Sequence, residues 1–261
     1  MSVLIIAEIG VNHQGDLNNA KRLIDAATTA GADCAKFQFF SSQRLWGDDR
    51  IKHLELRFSE LVVLHSYCKE VGIEFLCTPF GLSEVVLLKP LLKRWKVASG
   101  CIGRKALLEN IAQTKLPVIL STGMSTLDDV GTAVDFLGAG DLTLLHCTSA
   151  YPCSIKDVNL RAMRTLREVY GRPVGYSDHT LGITVPIAAV AMGASVIEKH
   201  LTLDRSAAGP DHKASIEPDE FRVMVSAIRT VEDALGSNVK AVQPCEAQLR
   251  RQWRVPTASD R

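Results

Sequence analysis

The chain has 261 residues, is 46% hydrophobic and 23% charged, and carries a formal net charge of +1. That composition can bury a sizeable core, and no sign imbalance points to nucleic acid or an anionic membrane. No apolar run approaches the roughly 20 residues that span a bilayer, and the N-terminus lacks the basic leader of a signal peptide.

Seven cysteines, an odd number without a C-x-x-C pair, fit reduced thiols in a cytoplasmic protein.

Short runs rich in Val, Ile and Leu alternate with segments of helical period. A strand is expected over 3–9 and a helix over 17–30, then a strand over 33–39 and a helix over 55–71. The next pairs are 73–77 with 82–88, 96–98 with 105–114, 118–121 with 127–137, and 142–146 with 160–169. The last two are 174–177 with 183–191 and 195–201 with 217–235. Eight strand–helix units in about 240 residues imply parallel strands, right-handed crossovers and a (β/α)8 TIM barrel, an α/β fold. The barrel is expected to occupy residues 1–240, followed by a polar tail over 241–261. Gly-containing segments such as AGAD (30–33) and VGIE (71–74) stand where helices end. The unusual polar residues gather at the opposite ends of the strands, the face on which barrel enzymes carry their chemistry.

Side chains two apart on a strand share a face. Glu8, Lys36, Gln38, Ser177, His179, Glu198 and His200 should therefore meet at one mouth of the lumen. A structural Lys–Glu pair could account for one such pair, but not for the whole set, because each unpaired buried polar group costs about 1–3 kcal/mol. Lys36 and Lys96, with Thr78, Ser99, Ser121 and Ser177 and the Gly-bearing turns near them, suit an anionic, phosphorylated ligand. His179 and His200, at one level on neighbouring strands, suit a divalent metal, although two histidines in a polar mouth would also fit. His53, His65 and His146 are read as structural.

The ordered motifs AEIGVNHQGD (7–16), KFQFF (36–40), CTPF (77–80), KVASG (96–100), ILSTGMST (119–126), LLHCTSAYP (144–152), GYSDHT (175–180), IEKHLTLD (197–204) and GPDHKAS (209–215) resemble the sialic acid synthase family. The resemblance runs from about residue 3 to residue 235. It implies condensation of phosphoenolpyruvate with an N-acylated hexosamine-type aldehyde sugar, giving a 2-keto-3-deoxy sugar acid and phosphate. By motif position, Lys36, Lys96, Thr78, Ser99, Ser121 and Ser177 would bind phosphoenolpyruvate, while Gln38, Tyr151 and Asp211 would face the sugar, as would Ser149 on the sixth strand. His179 and His200 would hold a divalent metal, manganese first and magnesium or cobalt as substitutes, and Glu8 would handle a proton or orient a substrate. A homodimer is also implied.

The chain departs from the family pattern at Cys101, where an acidic residue usually follows the SG turn, and at Ser149, where Asn is common. If Cys101 reached the site its thiolate would favour softer ions such as zinc; the plainer reading is a small buried thiol. The family usually continues into a small antifreeze-like domain; this chain is expected to be the barrel domain without it, with LRRQWRV (249–255) a remnant of the linker. Two rival readings are a Schiff-base aldolase using Lys36 or Lys96, and a barrel kept as a non-catalytic binding subunit.

Overall fold

The structure, a computed structural model, describes residues 2–253. Eight parallel strands line the barrel: β1 (Leu4–Gly10), β2 (Cys34–Phe39), β3 (Glu74–Pro79), β4 (Trp95–Val97), β5 (Val118–Ser121), β6 (Leu142–His146), β7 (Val174–Asp178) and β8 (Val196–His200). They pair in the order β3-β2-β1-β8-β7-β6-β5-β4, and β3 lies against β4, so the barrel is nearly closed. The helices are α1 (Leu17–Thr29), α2 (Ser42–Trp46), α3 (Phe58–Val71), α4 (Leu82–Leu88), α5 (Lys105–Gln113), α6 (Leu127–Leu137), α7 (Ala162–Tyr170), α8 (Thr184–Ala191), α9 (Pro218–Leu235) and α10 (Ala247–Gln252). All except α2 and α10 are the crossover helices expected from the alternation.

Local rules explain these elements. Helix α1 begins at Asp16, whose carboxylate accepts the Asn19 N–H at 2.7 Å, satisfying a donor that the first turn leaves unpaired. Its buried residues, Ala20, Leu23, Ile24 and Ala27, recur at helical spacing and face the strands. The main core lies between the strands and this helical shell. The polar tail forms the short helix α10, and residues 254–261 lie outside the described residues. All seven cysteines are free, and among the described residues no helix is long and apolar enough to cross a membrane.

The lumen is layered. Ile6, Cys34, Leu76, Ile119, Leu145 and Val196 form an apolar plug with Leu4 beneath the mouth. Two residues further along the same strands stand Glu8, Lys36, Thr78, Ser121 and Glu198, all buried. The period-two pleat thus carries each strand from an apolar to a polar layer in one step, and the plug closes the polar layer from below.

Candidate active site

At the C-terminal end of the strands is a cavity of about 450 Å3. All thirteen residues expected at a site line it: Glu8, Lys36, Gln38, Thr78, Lys96, Ser99, Ser121, Ser149, Tyr151, Ser177, His179, His200 and Asp211. Parity explains the strand residues, and the loops after β4, β6 and β8 add Ser99, Ser149, Tyr151 and Asp211.

A charge network forms the floor. Lys36 Nζ lies 2.8 Å from Glu198 Oε2 and 3.2 Å from Glu8 Oε2. Lys96 Nζ lies 3.6 Å from Glu198 Oε1 and donates to Ser121 Oγ at 2.7 Å. Ser177 Oγ donates to Glu198 Oε1 at 2.9 Å, and Gln38 Nε2 to Glu8 Oε1 at 2.8 Å. Glu198 is therefore the hub of the floor. The sequence places it on the lumen face without giving it a part; the alternation E-K-H on β8 was the available signal, and pairing with two lysines shows only in three dimensions.

The two carboxylates are driven apart. Burial raises the Glu8 carboxyl above its ordinary range; it outweighs the pull of Lys36, and the negative Glu198 nearby adds to the rise. Burial would raise Glu198 too, but Lys36 and Lys96 outweigh it and hold it well below that range. Lys36 stays firmly protonated because the two carboxylates overcome its desolvation. Burial brings Lys96 down to about 8. One proton-bearing acid beside one fixed anion is the pattern of an acid–base pair.

On the β7–β8 side, the rings of His179 and His200 lie 5.5 Å apart, and Tyr151 packs at a tilt against His179 with centroids at 4.1 Å. His179 Nδ1 donates to the Thr148 carbonyl at 2.7 Å, which leaves the Nε2 lone pair free to bind. Burial lowers both imidazoles below their ordinary pKa, and His200 is lowered further by His179 beside it. Neutral imidazoles oriented by a backbone carbonyl are the form that ligates metals. His200 Nδ1 and Thr78 Oγ1 are buried without a hydrogen-bond partner, an arrangement that a ligand completes. Among the described residues no three His, Cys, Asp or Glu side chains are grouped to hold a metal. The two imidazoles thus stand together without a third such side chain beside them.

On the β4–β6 side the backbone comes unusually close. A Cβ at Gly123 would lie 2.4 Å from Ser149 Oγ and 3.0 Å from Ser99 Oγ. The Gly123 N–H instead donates to Ser99 Oγ at 2.9 Å, and Ser99 Oγ lies 3.3 Å from Cys147 Sγ. Cys101 is buried outside the cavity and burial raises its thiol, so it is packing, not a ligand. His146 bonds the Val158 carbonyl at 2.7 Å and His65 packs edge-on to Phe75, both away from the cavity.

A sequence-family profile described as the NeuB family matches residues 23–240. The chain belongs to the NeuB family. It is 44% identical over 277 residues to the N,N'-diacetyllegionaminic acid synthase of Legionella pneumophila, covering 96% of this chain and 78% of that protein. It is 39% identical over 264 residues to the N-acetylneuraminate-9-phosphate synthase of Mus musculus, covering 93% and 74%. The crystal structure of the N-acetylneuraminic acid synthetase of Leptospira borgpetersenii, in complex with citrate, superposes with a TM-score of 0.92 at 38% identity, covering 97% of this chain and 92% of that one.

Proposed function

We propose that this NeuB-family barrel is a sugar-acid synthase that condenses phosphoenolpyruvate with the aldehyde of an N-acylated hexosamine-type sugar. The observation that carries the reading is the convergence, in one cavity, of two buried lysines, the hydroxyls of Ser99, Ser121 and Ser177, and two neutral imidazoles. The family's synthases of legionaminic and neuraminic acids support it.

In this reading Lys96, Ser99 and Ser121 hold the phosphate, and Lys36 with Thr78 holds the carboxylate of phosphoenolpyruvate. The enol carbon forms a bond to the aldehyde carbon, and Glu8, raised by burial, delivers a proton to the aldehyde oxygen. Glu198, held anionic, supplies the negative charge that the resulting cationic carbon requires. Water adds to that carbon, and the tetrahedral intermediate expels phosphate to leave the ketone. Gln38, Ser149, Tyr151 and Asp211 orient the sugar. His179 and His200 would hold a divalent ion, manganese foremost, which when bound supplies Lewis-acid charge at the aldehyde oxygen.

The test is phosphate release from phosphoenolpyruvate across a panel of hexosamine acceptors, with mass spectrometry of the product. A 2-keto acid three carbons longer than the sugar is expected; phosphate release without a new carbon–carbon bond would sink the reading. One observation favours a second reading. The depressed pKa of Lys96, about 8, would suit an imine-forming amine, and borohydride trapping with substrate distinguishes the two.

A further inference from the structure

One side of the cavity takes no part in the charge network. Val11 after β1, Phe40 just after β2, Leu45 on α2, Ile51 and Leu54 beyond it, and Phe80 after β3 line it with apolar surface. Phe40 and Phe80 meet edge to face, with centroids 6.2 Å apart. The segment between β2 and α3 that carries half of this wall is anchored. Ser42, fully buried, donates to the Asp48 carbonyl at 2.8 Å and accepts the Ile51 N–H at 3.3 Å. Its own N–H donates to Glu55 Oε1 at 2.5 Å. Arg44 reaches across to Glu84, a buried carboxylate on α4, and donates to Ser83 Oγ at 3.0 Å. The wall is therefore a built surface, tied within its own segment and to α4.

The other sides are spoken for: the imidazoles occupy β7–β8, and Lys96, Ser99 and Ser121 occupy β4–β5. A sugar whose aldehyde carbon lies above the floor extends its far end along the β1–β3 wall. The lysines of the floor are matched to Glu8 and Glu198. At the rim, Arg50 lines the cavity, and its guanidinium is forked onto Asp48, with Nε 2.9 and 2.8 Å from the two carboxylate oxygens. An acyl or deoxy carbon would gain from this wall by leaving water. A phosphate dianion would lose its hydration against it without a committed cation in return.

We propose that this apolar wall is the subsite for the far end of the acceptor and selects sugars that end in a deoxy or acylated carbon over those that end in a phosphate. The inference rests on the condensation proposed above.

The experiment compares kcat/KM, at saturating phosphoenolpyruvate, for an N-acetylhexosamine with a free 6-hydroxyl, its 6-phosphate and a 6-deoxy diacetamido analogue. The deoxy analogue is expected to exceed the phosphate by about tenfold or more. The variant Ile51→Lys, at a partly exposed position, should lower KM for the phosphate acceptor about tenfold and leave KM for phosphoenolpyruvate unchanged. Turnover that favours the phosphate in the wild type, or an unchanged acceptor preference in Ile51→Lys, overturns the inference and leaves the condensation intact. Phosphoenolpyruvate consumption with none of the acceptors removes the condensation, and the inference with it.

Discussion

Lys36 Nζ stands 2.8 Å from Glu198 Oε2, and both side chains are buried. Completing such a pair recovers little more than its desolvation, whereas halving it strands a charge. Lys36→Met and Glu198→Gln are each expected to destabilise the barrel by about 3–5 kcal/mol. The double variant should lose clearly less than the sum. Urea denaturation of the four proteins measures this, and additive losses would show that the two residues are not energetically linked.

Lys96 has a pKa lowered to about 8 by burial. Its charge is present below that pH and lost as pH rises through it. Phosphoenolpyruvate affinity should therefore fall between about pH 7.5 and 9, on top of any change from the ligand's own ionisation. Calorimetric titration against pH checks the inflection, and Lys96→Arg, charged throughout, should flatten it. A wild-type profile as flat as the variant's would remove Lys96 from the phosphate site.

His179→Ala and His200→Ala should each weaken divalent-ion binding by more than the roughly 10–100-fold that loss of an outer-shell partner costs. Calorimetry with manganese gives the affinities directly. Dialysis against EDTA should abolish turnover and added manganese restore it. Undiminished turnover in EDTA, accompanied by a borohydride-trapped adduct on Lys96, would transfer the chemistry to an imine.

His13 is buried, and its Nδ1 accepts the Gly15 N–H at 2.9 Å. Burial lowers its pKa from 6.5 to about 4. The unfolded chain binds this proton first, so the residue's contribution is complete above about pH 6.5 and is lost as pH falls toward 4. The difference amounts to about 3 kcal/mol. His13→Asn keeps an acceptor near Nδ1 and cannot titrate. Between pH 7.5 and 4 the wild type should lose more stability than this variant, and parallel losses in urea melts would contradict the assignment.

Much of this was legible in the sequence because barrel strands read by parity. Glu8, Lys36 and Gln38 fall on one face of their strands whatever the helices do, and the apolar-to-polar step along each strand marks the mouth. The part played by Glu198 was harder to read, because a carboxylate's role depends on which cations converge on it from other strands. Helix α2 and the apolar wall escaped for a different reason. Leu45, Ile51 and Leu54 sit in a short, irregular segment broken in its middle by the Gly47-Asp48-Asp49 turn, where neither period two nor period 3.6 has room to show. Cys101 was open between packing and ligation until the turn after β4 was seen to place it outside the cavity.

The C-terminal half of strand β8 is polar on both faces. Glu198 and His200 point into the lumen, while Lys199, between them, is buried on the outer side, 2.6 Å from Asp178 Oδ2 and 2.5 Å from the Thr180 carbonyl oxygen. Asp178 is held in turn by the Tyr176 hydroxyl at 3.0 Å. An ordinary barrel strand is buried and apolar on both faces, so a slip by one residue exchanges one apolar face for another. Here a slip would thrust an ammonium into the lumen and strip two buried carboxylates of their counter-charges at once. The spelling of this strand therefore works as an electrostatic ratchet with a single notch: a one-residue insertion or deletion between Asp178 and His200 that shifted it would abolish folding before it could alter specificity.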